Sequence, residues 1–525
     1  MKRKFKIAEE ILPEILKGEL LFGKMKARKE KTPKTPKERS SPAFMVLQNN
    51  PKCQGFHRLA EADNEDLKNE VKKSYKKLKS NLPEFAFDNE TVTAYGNFAF
   101  IEEFKRYINF QKETAQTLNL DRGHNTVYST EVIIDFMVDN HIVGNHRFYH
   151  YEKLAEDPGH ERIKDKDQFP HESTCRKLLG HMDQENIDEL KELNSKILNK
   201  KAGHDGSLNV WLSIDDTVSE LFGDQEKGAL GYNPKRTGDK SYKLPVTFID
   251  DNNDLLDLSL KPGSEKCDDL DEYLKKALDY LPENYNIKGV LVDRNYFSED
   301  NCKRLEKRSL FYLMKAKIYP SLKRKVHAIP EEDWEYIGGN FWVSEKVCRL
   351  DSWDEKRRFI FIRKEETKDK ENQAQQYLAE DMKTHFEYQA IVTNVPEKIL
   401  SAESCMQKYN QRATVENRIE EIKNGFAVDQ NSQLQFYKNY TDILIKALAY
   451  NIFNWFKQAL LPCELARASI RTVRRFFLNV PGNVVKRGGR KLTINLPAVQ
   501  RLKSTVARIK DRLYMYVLRR TCAPT

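Results

Sequence analysis

Apolar positions along this chain change their period twice. From about Leu59 to Lys201 they recur at helical spacing, most clearly over Glu61–Asn81, Ile101–Leu118 and Asp183–Asn199. STEVIIDFMVDNHIVGN predicts a further helix with an N-cap at Ser129 or Thr130. At about Ser207 the pattern turns to short apolar runs. LNVWLSI, LPVTFID and DLLDLSL predict three strands, the last two forming a hairpin across Asp251–Asp254. CDDLDEYLKKALDYL predicts a helix, IKGVLVD a fourth strand, SEDNCKRLEKRS a helix and LFYLMKAKI a fifth strand. WEYIGGNFWVSEKVCRL, RRFIFIRKE and FEYQAIVTN predict further strands. Helical spacing then returns at Tyr409–Phe426, at Leu434 to about Leu461 and, after a linker near Pro462 and a basic segment, in a last basic helix from Pro497 to Arg520.

The first returning segment, YNQRATVENRIEEIKNGF from Tyr409 to Phe426, has no Pro and a single Gly at its end, so it predicts one helix. Val415, Ile419, Ile422 and Phe426 make its apolar stripe. Tyr409, Arg412, Glu416 and Lys423 fall on a second stripe, rotated by roughly 80°. An acid between two cations at the edge of a core suits joint binding of a metal ion and a phosphate. The run Leu434–Leu461 is the most apolar long stretch, but Lys438, Asp442, Lys446, Asn451, Asn454 and Lys457 interrupt it. They exclude a bilayer span and predict a buried helix.

Composition narrows the class. Of 525 residues, 39% are hydrophobic and 32% charged, which is the balance of a soluble globular chain. The formal net charge of +10 points to a polyanionic partner, and nucleic acid comes first. The basic residues cluster: Arg467–Arg520 holds a single acid, Asp511, and the first 39 residues are rich in Lys and Arg. FPHESTCRKLLGHM places Arg176 and Lys177 on a helix that would suit a helix-turn-helix reader, with plain helical packing the alternative. The eight cysteines form neither a CxxC pair nor a zinc-finger spacing, which predicts reduced thiols in a cytosolic protein. The charged N-terminus lacks the apolar region of a secretory signal.

Three strands, helix, strand, helix, strand and a later helix is the order of a ribonuclease-H-like α/β fold. In that fold the first and fourth strands are neighbours. Asp215, at the end of the first predicted strand, and Asp293, at the end of the fourth, can then reach one ion, and Glu416 on the later helix closes the third side. Asp216 competes with Asp215 for the first place, since strand alternation points the two to opposite faces. Asp215 is the choice here, with Thr217 turning the loop. Three close carboxylates need cations to neutralise them, and hard oxygen ligands suit Mg²⁺ or Mn²⁺. A pair of such ions, roughly 3.5–4 Å apart, suits cutting and rejoining phosphodiesters. Arg412, Lys423 and Arg294 are candidates to hold DNA phosphates. Phe341, Trp342 and Trp353 are candidates to stack on an unpaired base, with core packing the commoner fate of such aromatics.

Tyr409-x-x-Arg412-x-x-x-Glu416 followed after six residues by Lys423 resembles the Y-R-E-K signature of DDE-class, cut-and-paste bacterial insertion-sequence transposases. SIDDTV around Asp215, LVDRNYF around Asp293, FGDQEKGALGYNPKRTGDKSY and VRRFFLNVPGNVV are also similar to one subgroup of that class. The likeness runs from about Tyr149 to Leu496. It implies a catalytic, metal-binding triad of Asp215, Asp293 and Glu416, with Tyr409, Arg412 and Lys423 as the accompanying signature. It further implies divalent metal, binding to terminal inverted repeats and target DNA, a homodimeric synaptic complex, no membrane association and a nucleoid-associated place in the bacterial cytoplasm.

The expected architecture is therefore α/β. It comprises a basic arm (1–45), a helical N-terminal region (46–205) and a ribonuclease-H-like catalytic domain (206–430) with a β-rich insertion at about 319–400. A helical, basic C-terminal region (431–525) follows. The expected activity is metal-dependent DNA strand cleavage and strand transfer. The alternatives are a DNA-binding protein that has lost catalysis and a nuclease that cuts without joining.

Overall fold

The computed structural model describes residues 89–123, 125–231, 238–365, 386–486 and 492–521. Every element named below lies in the compact unit Glu90–Thr525. The expected basic arm and the expected helix Glu61–Asn81 lie outside the described residues.

A mixed sheet of eleven strands among the described residues runs through this unit. Its first five long strands are β1 (Leu208–Glu220), β2 (Lys240–Ile249), β3 (Asp254–Leu258), β4 (Tyr285–Val292) and β5 (Phe311–Lys315). β1 and β4 pair in parallel, as do β4 and β5, while β1–β2 and β2–β3 are antiparallel. The spatial order is β3-β2-β1-β4-β5, with the first strand in the middle. β2 and β3 form the expected hairpin, turned by Asn253 in the left-handed region at φ 59°. Parallel neighbours need crossovers. The helix Leu270–Tyr280 lies in the connection from β3 to β4, and Glu299–Lys307 in that from β4 to β5.

β1 is longer than its apolar run predicts. It continues past Asp215 to Glu220, and Thr217 pairs with Leu244 of β2 instead of turning a loop. Pairing with β2 supplies the ladder that the polar residues 215–220 could not announce. The strands of the expected insertion are β6 (Glu335–Gly338), β7 (Phe341–Cys348), β8 (Arg357–Glu365) and β9 (Phe386–Thr393). They do not make a separate sheet. β9 pairs antiparallel with β5, and β8, β7 and β6 follow outward, so they extend the central sheet. Trp353 is buried there, with its ring 5.2 Å from that of Phe297 and the Arg357 guanidinium 5.3 Å above it.

Alternation along β1 and β4 sorts side chains between two faces. Val210, Leu212 and Ile214, with Val290 and Val292, join the core beneath the two crossover helices. Trp211 and Leu291 face the other way, into a core shared with Cys405, Met406 and Tyr409. A third, larger core joins the N-terminal helices to the C-terminal ones and to β2 and β3. At its centre runs the helix Phe436–Leu460, buried along almost its whole length. Several of its buried polar residues are partnered: Lys446 binds Asp442 at 2.7 Å and the Ala427 carbonyl at 3.0 Å, and Asn451 binds the Leu255 carbonyl at 2.8 Å.

Two predicted helices are each broken in two. Ile101–Leu118 is split into Phe98–Tyr107 and Phe110–Thr117, with Asn109 between them at φ 55°. Tyr409–Phe426 is split into α1 (Ala402–Asn410) and α2 (Ala413–Phe426). The six cysteines among the described residues are free, and only Cys463 of these is exposed. None of the helices among the described residues is long and apolar enough to cross a membrane.

Candidate functional site

The last parallel pair between β1 and β4 is Ile214 with Val292. Asp215 and Asp293 are the next residue on each strand path, so the topology sets them side by side. Both follow residues that point into the crossover-helix core, so both turn to the face covered by α1 and α2. Asp216 turns the other way: the charges acting around it are those of Lys243 and Asp293, and it bears in turn on Cys267 and Tyr296. Alternation thus separates the two adjacent aspartates.

Arg412 joins Asp215 to Asp293. Its Nη2 donates to Asp215 Oδ2 at 2.9 Å, and Nη1 lies 3.8 Å from Asp293 Oδ1. The arginine side chain is 9% exposed, that of Asp215 14% and that of Asp293 23%. Burial pushes the Asp215 carboxyl up to about 6, although the Arg412 charge and the Asp216 backbone N–H pull it down. Burial opposes the Arg412 charge, but Asp215, Tyr409 and Asp293 outweigh it and hold its pKa above the usual value.

The other signature residues surround this bridge. Tyr409 closes α1, is buried, and donates its hydroxyl to the Val292 carbonyl at 3.3 Å. Gln411 and Arg412 form the joint between the two helices. The apolar stripe of α2 is buried as expected: Val415, Ile419, Ile422 and Phe426 are at most 7% exposed. Glu416 stands one turn after Arg412 and is exposed. Lys423, two turns further on, is half-buried and donates to the Val218 carbonyl of β1 at 2.9 Å. Arg294 is exposed at the mouth of a groove lined also by Lys315, Lys317 and Tyr388.

Among the described residues, one group of three acids has ligand atoms all within 4.8 Å of one another, and it is Glu102, Asp135 and Asp139. Glu416 does not close with Asp215 and Asp293 to that range. The Glu102 group is a poor metal site because it is already filled. Lys164 Nζ lies 2.7 Å from Glu102, 2.5 Å from Asp135 and 3.0 Å from Asp139, and Lys105 binds both aspartates. These charges tie the N-terminal helices together.

The residues fit a divalent ion best at Asp215 and Asp293. Two hard carboxylates, one strongly desolvated, already draw a cation, the Arg412 guanidinium, between them. Sequence reasoning missed Asp250, Arg418 and Lys408. Arg418 Nη1 donates to Asp250 Oδ1 at 2.7 Å, and Lys408 Nζ lies 3.6 Å from Asp250 Oδ2. The available signal was a cation at position 418 on the apolar side of the predicted helix, where only a buried acid could balance it.

A sheet that gathers acids at the ends of adjacent parallel strands, under a helix carrying cations, defines a class of α/β proteins with a carboxylate-lined site. The family model described as transposase DDE domain group 1 matches residues 76–517, and the chain belongs to that family. Among solved structures the chain is similar to a piggyBac transposase synaptic complex with hairpin DNA, determined by cryo-EM. The identity is 10%, with 82% of this chain and 83% of that chain covered and a TM-score of 0.38. No curated protein sequence matches it.

Proposed function

We propose that this protein is a cut-and-paste transposase of the bacterial insertion-sequence type, with Asp215, Asp293 and Glu416 as its catalytic carboxylates. The observation that carries this reading is the Arg412 bridge between Asp215 and Asp293, with Glu416 one helical turn away. The strand order β3-β2-β1-β4-β5 supports a ribonuclease-H-like core, and the family supports DNA transposition. Tyr409, Arg412, Glu416 and Lys423 are read as a Y-R-E-K signature.

Asp215, Asp293 and Glu416 would hold Mg²⁺ or Mn²⁺, in all two ions. Bound there, such ions supply Lewis-acid activation of a water or 3′-hydroxyl and stabilise the leaving oxygen. The protein's own residues do the placing. Tyr409 fixes the joint between α1 and α2 against the Val292 carbonyl. Arg412, once exchanged from the aspartates, has a planar fork matched to a phosphate beside the scissile bond. Lys423 and Arg294 extend that grip along the backbone. The substrate is double-stranded DNA, at terminal inverted repeats and then at the target, handled by a homodimer in the bacterial cytoplasm.

The test is to incubate the protein with labelled element ends and Mg²⁺. Wild type is expected to cleave and then transfer the strand. Glu416→Gln is expected to bind the same DNA and cut none of it. Normal cutting by Glu416→Gln would remove that residue from the reaction.

A further inference from the structure

Asp250, directly after β2, is 8% exposed and gathers three separate elements. From β1, Ser213 donates its hydroxyl to Asp250 Oδ1 at 2.8 Å, and Ser213 shares its strand face with Asp215 two residues later. From α2, Arg418 donates through Nη1 to the same Oδ1 at 2.7 Å and through Nη2 to the Asp250 carbonyl at 3.2 Å. From α1, Lys408 lies 3.6 Å from Oδ2, with its ammonium 5.5 Å above the Trp211 ring. The Asp250 backbone is itself fixed by donating to the Trp211 carbonyl at 2.8 Å.

A buried ion pair yields little net stability, because desolvation cancels most of the attraction. Its geometry is another matter. Arg418 lies about 200° around the helix from Glu416. Tethering the buried side of α2 at two points fixes the rotation of the helix, and so the direction of its exposed side. Lys408 does the same for α1, which carries Tyr409 in its last turn. We infer that Asp250 and Arg418 are positioning residues. They set Glu416 and Arg412 in register with Asp215 without touching substrate or metal. This inference rests on the catalytic reading of Glu416.

The experiment compares Arg418→Lys and Asp250→Asn with wild type. It measures single-turnover cleavage, the Mg²⁺ concentration for half-maximal rate, DNA affinity and Tm. A small misplacement of a reacting group costs up to about 100-fold in rate. The expected result is cleavage lowered about 10- to 100-fold and a several-fold higher Mg²⁺ requirement. DNA affinity should stay within about twofold of wild type. Wild-type cleavage and Mg²⁺ dependence in both variants would overturn the inference. So would a loss that disappears when cleavage is assayed well below the variant's Tm, since that marks a merely structural pair. If Arg418→Lys does not fold, Ser213→Ala, which removes one arm of the same node, carries the test. Glu416→Gln is run alongside: if it cuts normally the catalytic reading fails, and if it is dead while the two variants are normal only the positioning role fails.

Discussion

At Arg412, one guanidinium does what a metal ion would do. It neutralises Asp215, whose carboxyl burial pushes up, and reaches to 3.8 Å from Asp293. On the proposed reading, the arginine and a divalent ion would compete for the same oxygens. An opposite charge within a few ångströms of a carboxylate is worth about one to three pKa units, and one unit is about tenfold in an equilibrium constant. Arg412→Gln is accordingly expected to bind Mn²⁺ about tenfold more tightly by calorimetry while cleaving DNA more slowly. Unchanged or weaker Mn²⁺ affinity would show that the bridge does not occupy the ion's place. At this scale much was legible from the chain. Strand alternation puts Asp215 and Asp216 on opposite faces, although the loop at Thr217 on which the choice of Asp215 rested is a continuing strand, and helical spacing puts Arg412 and Glu416 a turn apart. Asp250 was hidden, because its role depends on a partner 168 residues later whose charge is buried.

Among the elements, strands were read more faithfully than helix ends. Apolar runs gave β1, β4 and β5 in order, but their polar extension was invisible, since the backbone of residues 215–220 is held by β2 and not by its own pattern. The break between α1 and α2 has no Pro or Gly to announce it. It follows from burying Tyr409 against the sheet while α2 turns its own apolar stripe into the helical core. The far end of α2 is secured by Arg474. This side chain donates to the carbonyls of His141, at 2.7 Å, and Gly425, at 2.5 Å, and so caps two helix C-termini at once. Within the sheet, Gly289 of β4 is the tightest point near the site. A Cβ there would lie 2.6 Å from the Trp211 ring and 2.7 Å from the Phe311 carbonyl oxygen. Overpacking of this kind typically costs about 1–3 kcal/mol. Gly289→Val is expected to lower the urea midpoint accordingly. An unchanged midpoint would mean that Trp211 can move aside freely.

For the whole molecule, the sequence suggested helical regions flanking a catalytic core. The structure shows helices from before residue 205 and after residue 430 packed into one core with β2 and β3. Long-range packing of this kind leaves no local trace, because each helix only shows that it has an apolar face. The charge distribution was more legible in amount than in place. Near the candidate site, Lys315, Lys317 and Arg294 line one groove, and Lys323, Arg324 and His327 line a second. The two adjoin where the His327 ring meets the Tyr388 ring at 5.0 Å. Arg324 is paired with Asp351 at 3.1 Å, and Glu387 adds one acid to the first groove. Lys315, Lys317 and Lys323 have no ion pair among the described residues. A lysine that neutralises a DNA phosphate releases a counterion, so each contact adds about 0.9 to the slope of log affinity against log salt. If the DNA leaving Asp293 crosses these grooves, changing all three lysines to Gln reduces that slope by about 2 to 3. Binding to an element end, titrated by fluorescence anisotropy from low to moderate salt, reads the slope directly. The same substitutions at Lys112 and Lys196, which lie on the N-terminal helices, serve as the comparison. An equal change per lysine from both sets would mean that net charge alone is felt. A change confined to the groove lysines would trace the path of the backbone away from the two aspartates.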